Sequence, residues 1–141
     1  MTNTLYDALF APHSGAETPF LIGPDGAVMS HGRFLRLAAR YANAFAELGL
    51  CPGDRVAMQV GKSPEMLAAI AASVQSGLVF LPLNTAYTPA EVSYFITDAG
   101  ARLLLCAPES ESALTPVAGA AGARILTLGP QGTGSFAGLA A

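Results

Sequence analysis

At 141 residues the chain is long enough for one domain with one sizeable core, and residues 1–141 are read as a single unit. More than half of the residues are apolar and only 12% are charged, which fits a globular α/β domain and excludes a disordered one. A formal net charge of −3 argues against a nucleic-acid partner. Arg33, Arg36 and Arg40 recur at helical spacing, and a solvated helix face accounts for them.

Taken in order, Thr4 to Phe10 predicts a short helix that stops before Pro12 and the Ser14-Gly15 turn. Phe20-Leu21-Ile22 and Ala27-Val28-Met29, joined by Gly23-Pro24-Asp25-Gly26, predict a small hairpin. Ser30 supplies a cap for a helix whose apolar positions Phe34, Leu37, Ala38, Tyr41, Phe45 and Leu48 recur at three- and four-residue steps, and Gly49 ends it. A strand follows over Arg55–Val60, then a helix from about Glu65 to Ser76 that is apolar nearly all round and must be buried on more than one side. Leu78–Leu81 is the next strand, broken at Pro82.

Thr88-Pro89-Ala90-Glu91 opens another helix with a capping hydroxyl, a proline at the first helical position and a carboxylate three residues after the cap. Leu103–Cys106 reads as a buried strand of a parallel sheet. Pro108–Gly122 is helical but interrupted by Pro116 and Gly119. Arg124–Leu128 closes the strand set, and Gly129–Gly134 reads as a glycine-rich link into a last short helical turn. Strand and helix alternate from Arg55 onward, so the fold class is α/β: a mostly parallel sheet in three layers, with a small N-terminal hairpin.

Few residues offer chemistry of their own. Gly61-Lys62-Ser63 stands where a phosphate-binding loop would, but the position of the first glycine of that pattern is Val56, and Ser63 is explained as a helix cap. Cys51 and Cys106 lack metal-ligand spacing and read as reduced thiols, and His13 and His31 have no partner pattern, so no metal site and no catalytic residue is assigned. Glu91 is accounted for by its cap; Asp98, at the other end of the same helix, has no assigned role. Asn84 and Tyr87 lie in the loop after a strand's carboxyl end, where α/β sheets bind ligands, and are the candidate loop contacts. The N-terminus has neither the basic start nor the apolar core of a signal peptide, and no stretch approaches about 18 uninterrupted apolar residues; the expectation is a cytoplasmic protein with no membrane partner.

Gly77 to Thr88, with Leu81-Pro82-Leu83-Asn84 at its centre, resembles the second core motif of the adenylate-forming superfamily of acyl-CoA synthetases, luciferases and peptide-synthetase adenylation domains. The run Leu-Pro-Leu-Asn-Thr-Ala-Tyr-Thr, followed by Tyr94-Phe95-Ile96-Thr97-Asp98, is most similar within it to bacterial malonyl-CoA synthetases. Gly53-Asp54-Arg55-Val56 also fits; Ser30 before the long helix matches a first core motif from which His31 and Arg33 depart.

The resemblance implies the N-terminal part of an AMP-binding, acyl-CoA synthetase-like domain, and a parent enzyme that uses ATP, magnesium and coenzyme A to turn a short carboxylic acid into its thioester through an acyl-adenylate. The phosphate loop and the nucleotide, metal and carboxylate contacts of that family lie in later sequence, so no cofactor is assigned to this segment and the 141 residues alone are expected to be inactive. The sequence stops in what reads as the start of a helix, which favours a fragment whose partner is the remainder of its parent chain and which self-associates when isolated. The alternative is a free-standing assembly or regulatory module built on part of the fold.

Overall fold

The computed structural model describes residues 3–141. The first helix, α1 (Thr4–Leu9), begins where Asn3 Oδ1 accepts the Tyr6 N–H at 3.1 Å. Strands β1 (Pro19–Ile22) and β2 (Val28–Ser30) pair antiparallel as the expected hairpin. Their turn is set by Asp25, whose Oδ1 accepts from Ala27 N–H at 3.0 Å, and by Gly26 at φ 80°. Ser30 Oγ then accepts the Arg33 N–H and starts α2 (His31–Glu47), which buries Phe34, Leu35, Ala38, Tyr41, Ala44 and Phe45.

The rest is one parallel sheet wrapped by helices. Strands β3 (Arg55–Gln59), β4 (Val79–Pro82), β5 (Leu103–Cys106) and β6 (Arg124–Thr127) lie in the order β4-β3-β5-β6, all parallel. Helices α3 (Pro64–Gln75), α4 (Pro89–Asp98) and α5 (Glu111–Ala120) connect them, and α6 (Ser135–Leu139) follows β6. The strand alternation builds two cores. Val56, Met58, Leu103 and Leu105 pack with α2, α3 and α6, whereas Ala57, Leu104 and Cys106 pack with α4 and α5. That is the three-layered α/β arrangement the alternation predicts. As its composition requires, α3 is buried against both α2 and the sheet, with Ala68, Ala69, Ala71 and Ala72 inaccessible.

Pro82 closes β4 rather than breaking it. Val79 and Leu83 donate their N–H groups to Asp54 and Met58 on the β3 side, so the proline nitrogen between them in the ladder faces the sheet's open edge, where no donor is needed.

Two further sequence expectations are corrected. Pro116 and Gly119 do not interrupt α5, which runs through both. Pro116 lies on the exposed side, and the carbonyl deprived of its helical partner, that of Ser112, is on an exposed residue that water can serve. Gly129–Gly134 is not a loose link but an ordered turn. Gly129 N–H donates to Thr133 O at 2.8 Å, and Thr127 and Ser135 exchange backbone-to-hydroxyl bonds at 2.9 and 2.8 Å. Gly132 N–H donates to the Glu65 carboxylate at 3.1 Å. Among the described residues no helix is long and apolar enough to cross a membrane.

Candidate functional site at the carboxyl edge of the sheet

The chain passes from β3 through α3 to β4 on one side, then crosses back over β3 through α4 to β5 on the other side and continues through α5 to β6. The connections therefore part at the carboxyl ends of β3 and β5, a topological switch point, which is where open α/β sheets place ligands. An open cavity of about 270 Å³ sits there, lined by Gln59, Gly61, Thr85, Ala107, Glu109 and Ser110. A neighbouring one of about 670 Å³ shares Gly61 and Thr85 and adds Lys62, Pro82, Leu83 and Asn84.

Gln59 organises this edge. It ends β3, is 6% exposed, and its Nε2 donates to the backbone carbonyls of both Asn84 and Tyr87 at 3.0 Å. One buried carboxamide thus fixes the two ends of the loop that carries both candidate residues. Within the loop, Asn84 Oδ1 accepts the Ala86 N–H at 2.9 Å and Tyr87 N–H returns to Asn84 O at 3.0 Å. The helix beyond is locked by a full capping box: Thr88 Oγ1 accepts from Glu91 N–H, and Glu91 Oε2 accepts from Thr88 N–H at 2.8 Å. The hydrogen bonds from Thr88, backbone first, hold the Glu91 carboxyl below its usual range.

The two candidate residues part company. Asn84 lies on the cavity wall, whereas the Tyr87 ring stacks on Phe95, centroids 5.2 Å apart, beside the α4–α5 core. Gln59 was not singled out in the sequence. No nearby signal marks it, because the carbonyls it serves are those of Asn84 and Tyr87, 25 and 28 residues away.

The edge can hold and orient a polar group through Lys62 and Asn84. Ser63 Oγ is engaged as the cap of α3, accepting from Met66 N–H at 3.1 Å, so Gly61-Lys62-Ser63 is a helix start and does not form a phosphate cradle. Cys106 is fully buried, and burial, with lesser contributions from Glu111 and Glu109, pushes its thiol up to about 11, which keeps it protonated at neutral pH. Among the described residues no three His, Cys, Asp or Glu side chains converge on a possible metal position. The residues of this edge thus form no phosphate cradle and converge on no metal position, and no chemical step is assigned to them.

Outside these two cavities, the basic stripe of α2 is exposed as expected but is more than a solvated face. Arg33, Arg36 and Arg40 form one wall of an open cleft of about 630 Å³, with Glu65 and the Gln131-Gly132 turn opposite. Burial, then the charge of Glu65, pushes the Tyr41 phenol up to about 12.

A feruloyl-CoA synthase of Amycolatopsis sp. is 33% identical over 111 residues, 79% of this chain and 22% of that protein. Apo MatB from Rhodopseudomonas palustris superimposes with a TM-score of 0.92 at 38% identity, covering 99% of this chain and 28% of its own. A benzoate CoA ligase from Burkholderia xenovorans LB400 shares the fold, with a TM-score of 0.80 over 98% of this chain and 27% of its own. The chain thus spans about a quarter of the length of these relatives. The sequence profile of the family described as "AMP-binding enzyme" matches residues 11–131. By that match the chain belongs to the AMP-binding enzyme family, and its fold reproduces the N-terminal part of MatB.

Proposed function

We propose that this chain supplies the N-terminal part of an ATP-dependent acid–thiol ligase acting on a short carboxylic acid, with malonate as the first substrate to test. One observation carries the reading: the likeness to MatB, a malonyl-CoA synthetase, extends over 99% of the chain at 38% identity. In that reaction a carboxylate oxygen attacks the α-phosphorus of ATP, pyrophosphate leaves, and the coenzyme A thiol then displaces AMP from the acyl-adenylate. The relatives named for other substrates, among them the feruloyl-CoA synthase, share the scaffold and make malonate the narrower part of the proposal.

The role of these residues is architectural. Gln59 fixes the Asn84–Tyr87 loop, and the carboxyl edge of the sheet forms one wall of a larger site that later sequence completes. The partner is the remainder of the parent polypeptide. Its landing surface includes the apolar groove between the hairpin and α3, where Leu21, Ile22, Met66 and Leu67 meet and where Ile22 is 72% exposed. The setting is an intracellular one, where ATP and coenzyme A are supplied.

Given malonate, magnesium and ATP, the isolated 141 residues should release no pyrophosphate above the blank, because no preorganised charge surrounds a reacting phosphate. Release proportional to the amount of chain would overturn the division of labour.

A further inference from the structure

Three of the seven basic residues of a chain whose net charge is −3 stand in a single cleft. Arg33, Arg36 and Arg40 occupy one face of α2 and, at about 1.5 Å of rise per residue, spread their guanidiniums along roughly 10 Å. Among the described residues none of the three guanidiniums has a hydrogen-bonded or ion-paired partner. The arginines that serve the fold behave differently: Arg55 donates to the carbonyls of Ala99, Gly53 and Gly100, and Arg102 pairs with Asp54 at 3.0 Å.

The opposite wall is rigid. Glu65, 8% exposed, holds the turn through Gly132 N–H, and Gln131 beside it is fixed at φ 59°, the sole non-glycine residue with positive φ among those described. Glu65 is the one carboxylate lining the cleft, so three guanidiniums against one carboxylate leave a formal +2. The first turn of α2, at the Arg33 end, adds the positive pole of a 17-residue helix.

We propose that this cleft is a second ligand site, sharing no lining residue with the two carboxyl-edge cavities, and that it takes a linear di- or triphosphate chain, free or as the tail of a nucleotide. The planar guanidinium fork suits phosphate oxygens in bidentate pairs, and three forks in a row address successive phosphates, whereas a lone carboxylate or monophosphate engages one or two. Gln131 contributes a neutral carboxamide donor across the cleft, and Glu65 in the same wall keeps the anion along the arginines. The site does not depend on the reaction proposed above.

Titration calorimetry of the 141-residue chain with inorganic tripolyphosphate, ATP and AMP tests it. The expected result is one saturable site for tripolyphosphate and ATP, at least tenfold weaker binding of AMP, and at least a tenfold loss in Arg36→Gln/Arg40→Gln. Arg124→Gln, an exposed arginine outside the cleft, should stay within twofold. Equal affinity for tripolyphosphate and ATP assigns the free chain as ligand, and a preference for ATP assigns the nucleotide tail. In the unaltered chain the amide resonances of Gln131 and Gly132 should shift on saturation, a readout independent of how well the variants fold. Absence of saturable binding, AMP binding as tightly as tripolyphosphate, or undiminished binding in the folded double variant would each overturn the proposal.

Discussion

Gln59 shows how much of the edge rests on one side chain. Its carboxamide is buried at the end of β3 and gives both amide hydrogens to loop carbonyls, so removing it leaves two acceptors and a small void. Gln59→Ala should cost about 2 kcal/mol in denaturant unfolding. It should also raise amide exchange selectively over residues 84–88, with the strands unaffected. Nothing in the sequence pattern separates Gln59 from a strand residue facing solvent, because its partners are carbonyls 25 and 28 residues away. Tyr87 illustrates the converse. Its loop position made it a candidate contact, but stacking on Phe95 engages the ring and only Asn84 lines the cavity.

At the scale of elements, what was legible is what local chemistry decides. The caps at Ser30, Ser63 and Thr88, the hairpin turn and the four parallel strands follow from residues within a few positions of one another. What escaped was decided at a distance. The turn after β6 reads as a link because Gly129–Gly134 is rich in glycine, but Glu65, on α3, and the Thr127–Ser135 pair order it. The helix through Pro116 persists because the proline lies on the water side, which depends on how α5 docks.

The capping box offers a measurement at this scale. Thr88→Ala should lower stability by about 1 kcal/mol, with the loss centred on α4. The Glu91 carboxyl lies below its unfolded value, so its contribution is present above that value and is lost as pH falls through the lower folded value. The acid-side slope of stability against pH should therefore be shallower in Glu91→Gln than in the parent, and an unchanged slope would contradict the pairing.

As a whole molecule the domain has a closed core on each face of its sheet but open margins. β4 and β6 each have one unpaired edge, and Ile22, Val28 and Leu67 remain exposed around the groove beside the hairpin. At about 25 cal/mol per Å², a few hundred Å² of apolar surface represents several kcal/mol of burial still available. The isolated chain should self-associate, seen as a rise in average mass with concentration in analytical ultracentrifugation. A single monomeric species at the highest soluble concentration would mean that these margins need no cover.

The most direct test of the whole account replaces the aligned N-terminal part of R. palustris MatB, 28% of that chain, with these 141 residues and follows malonate-dependent AMP formation with ATP and coenzyme A. If the chain supplies the scaffold of such a ligase, the hybrid should retain activity within about tenfold of its parent, a barrier difference of about 1.4 kcal/mol. Introducing Gln59→Ala into the hybrid should reduce it further. A hybrid that folds with the parent's melting temperature but forms no AMP with malonate would contradict the account.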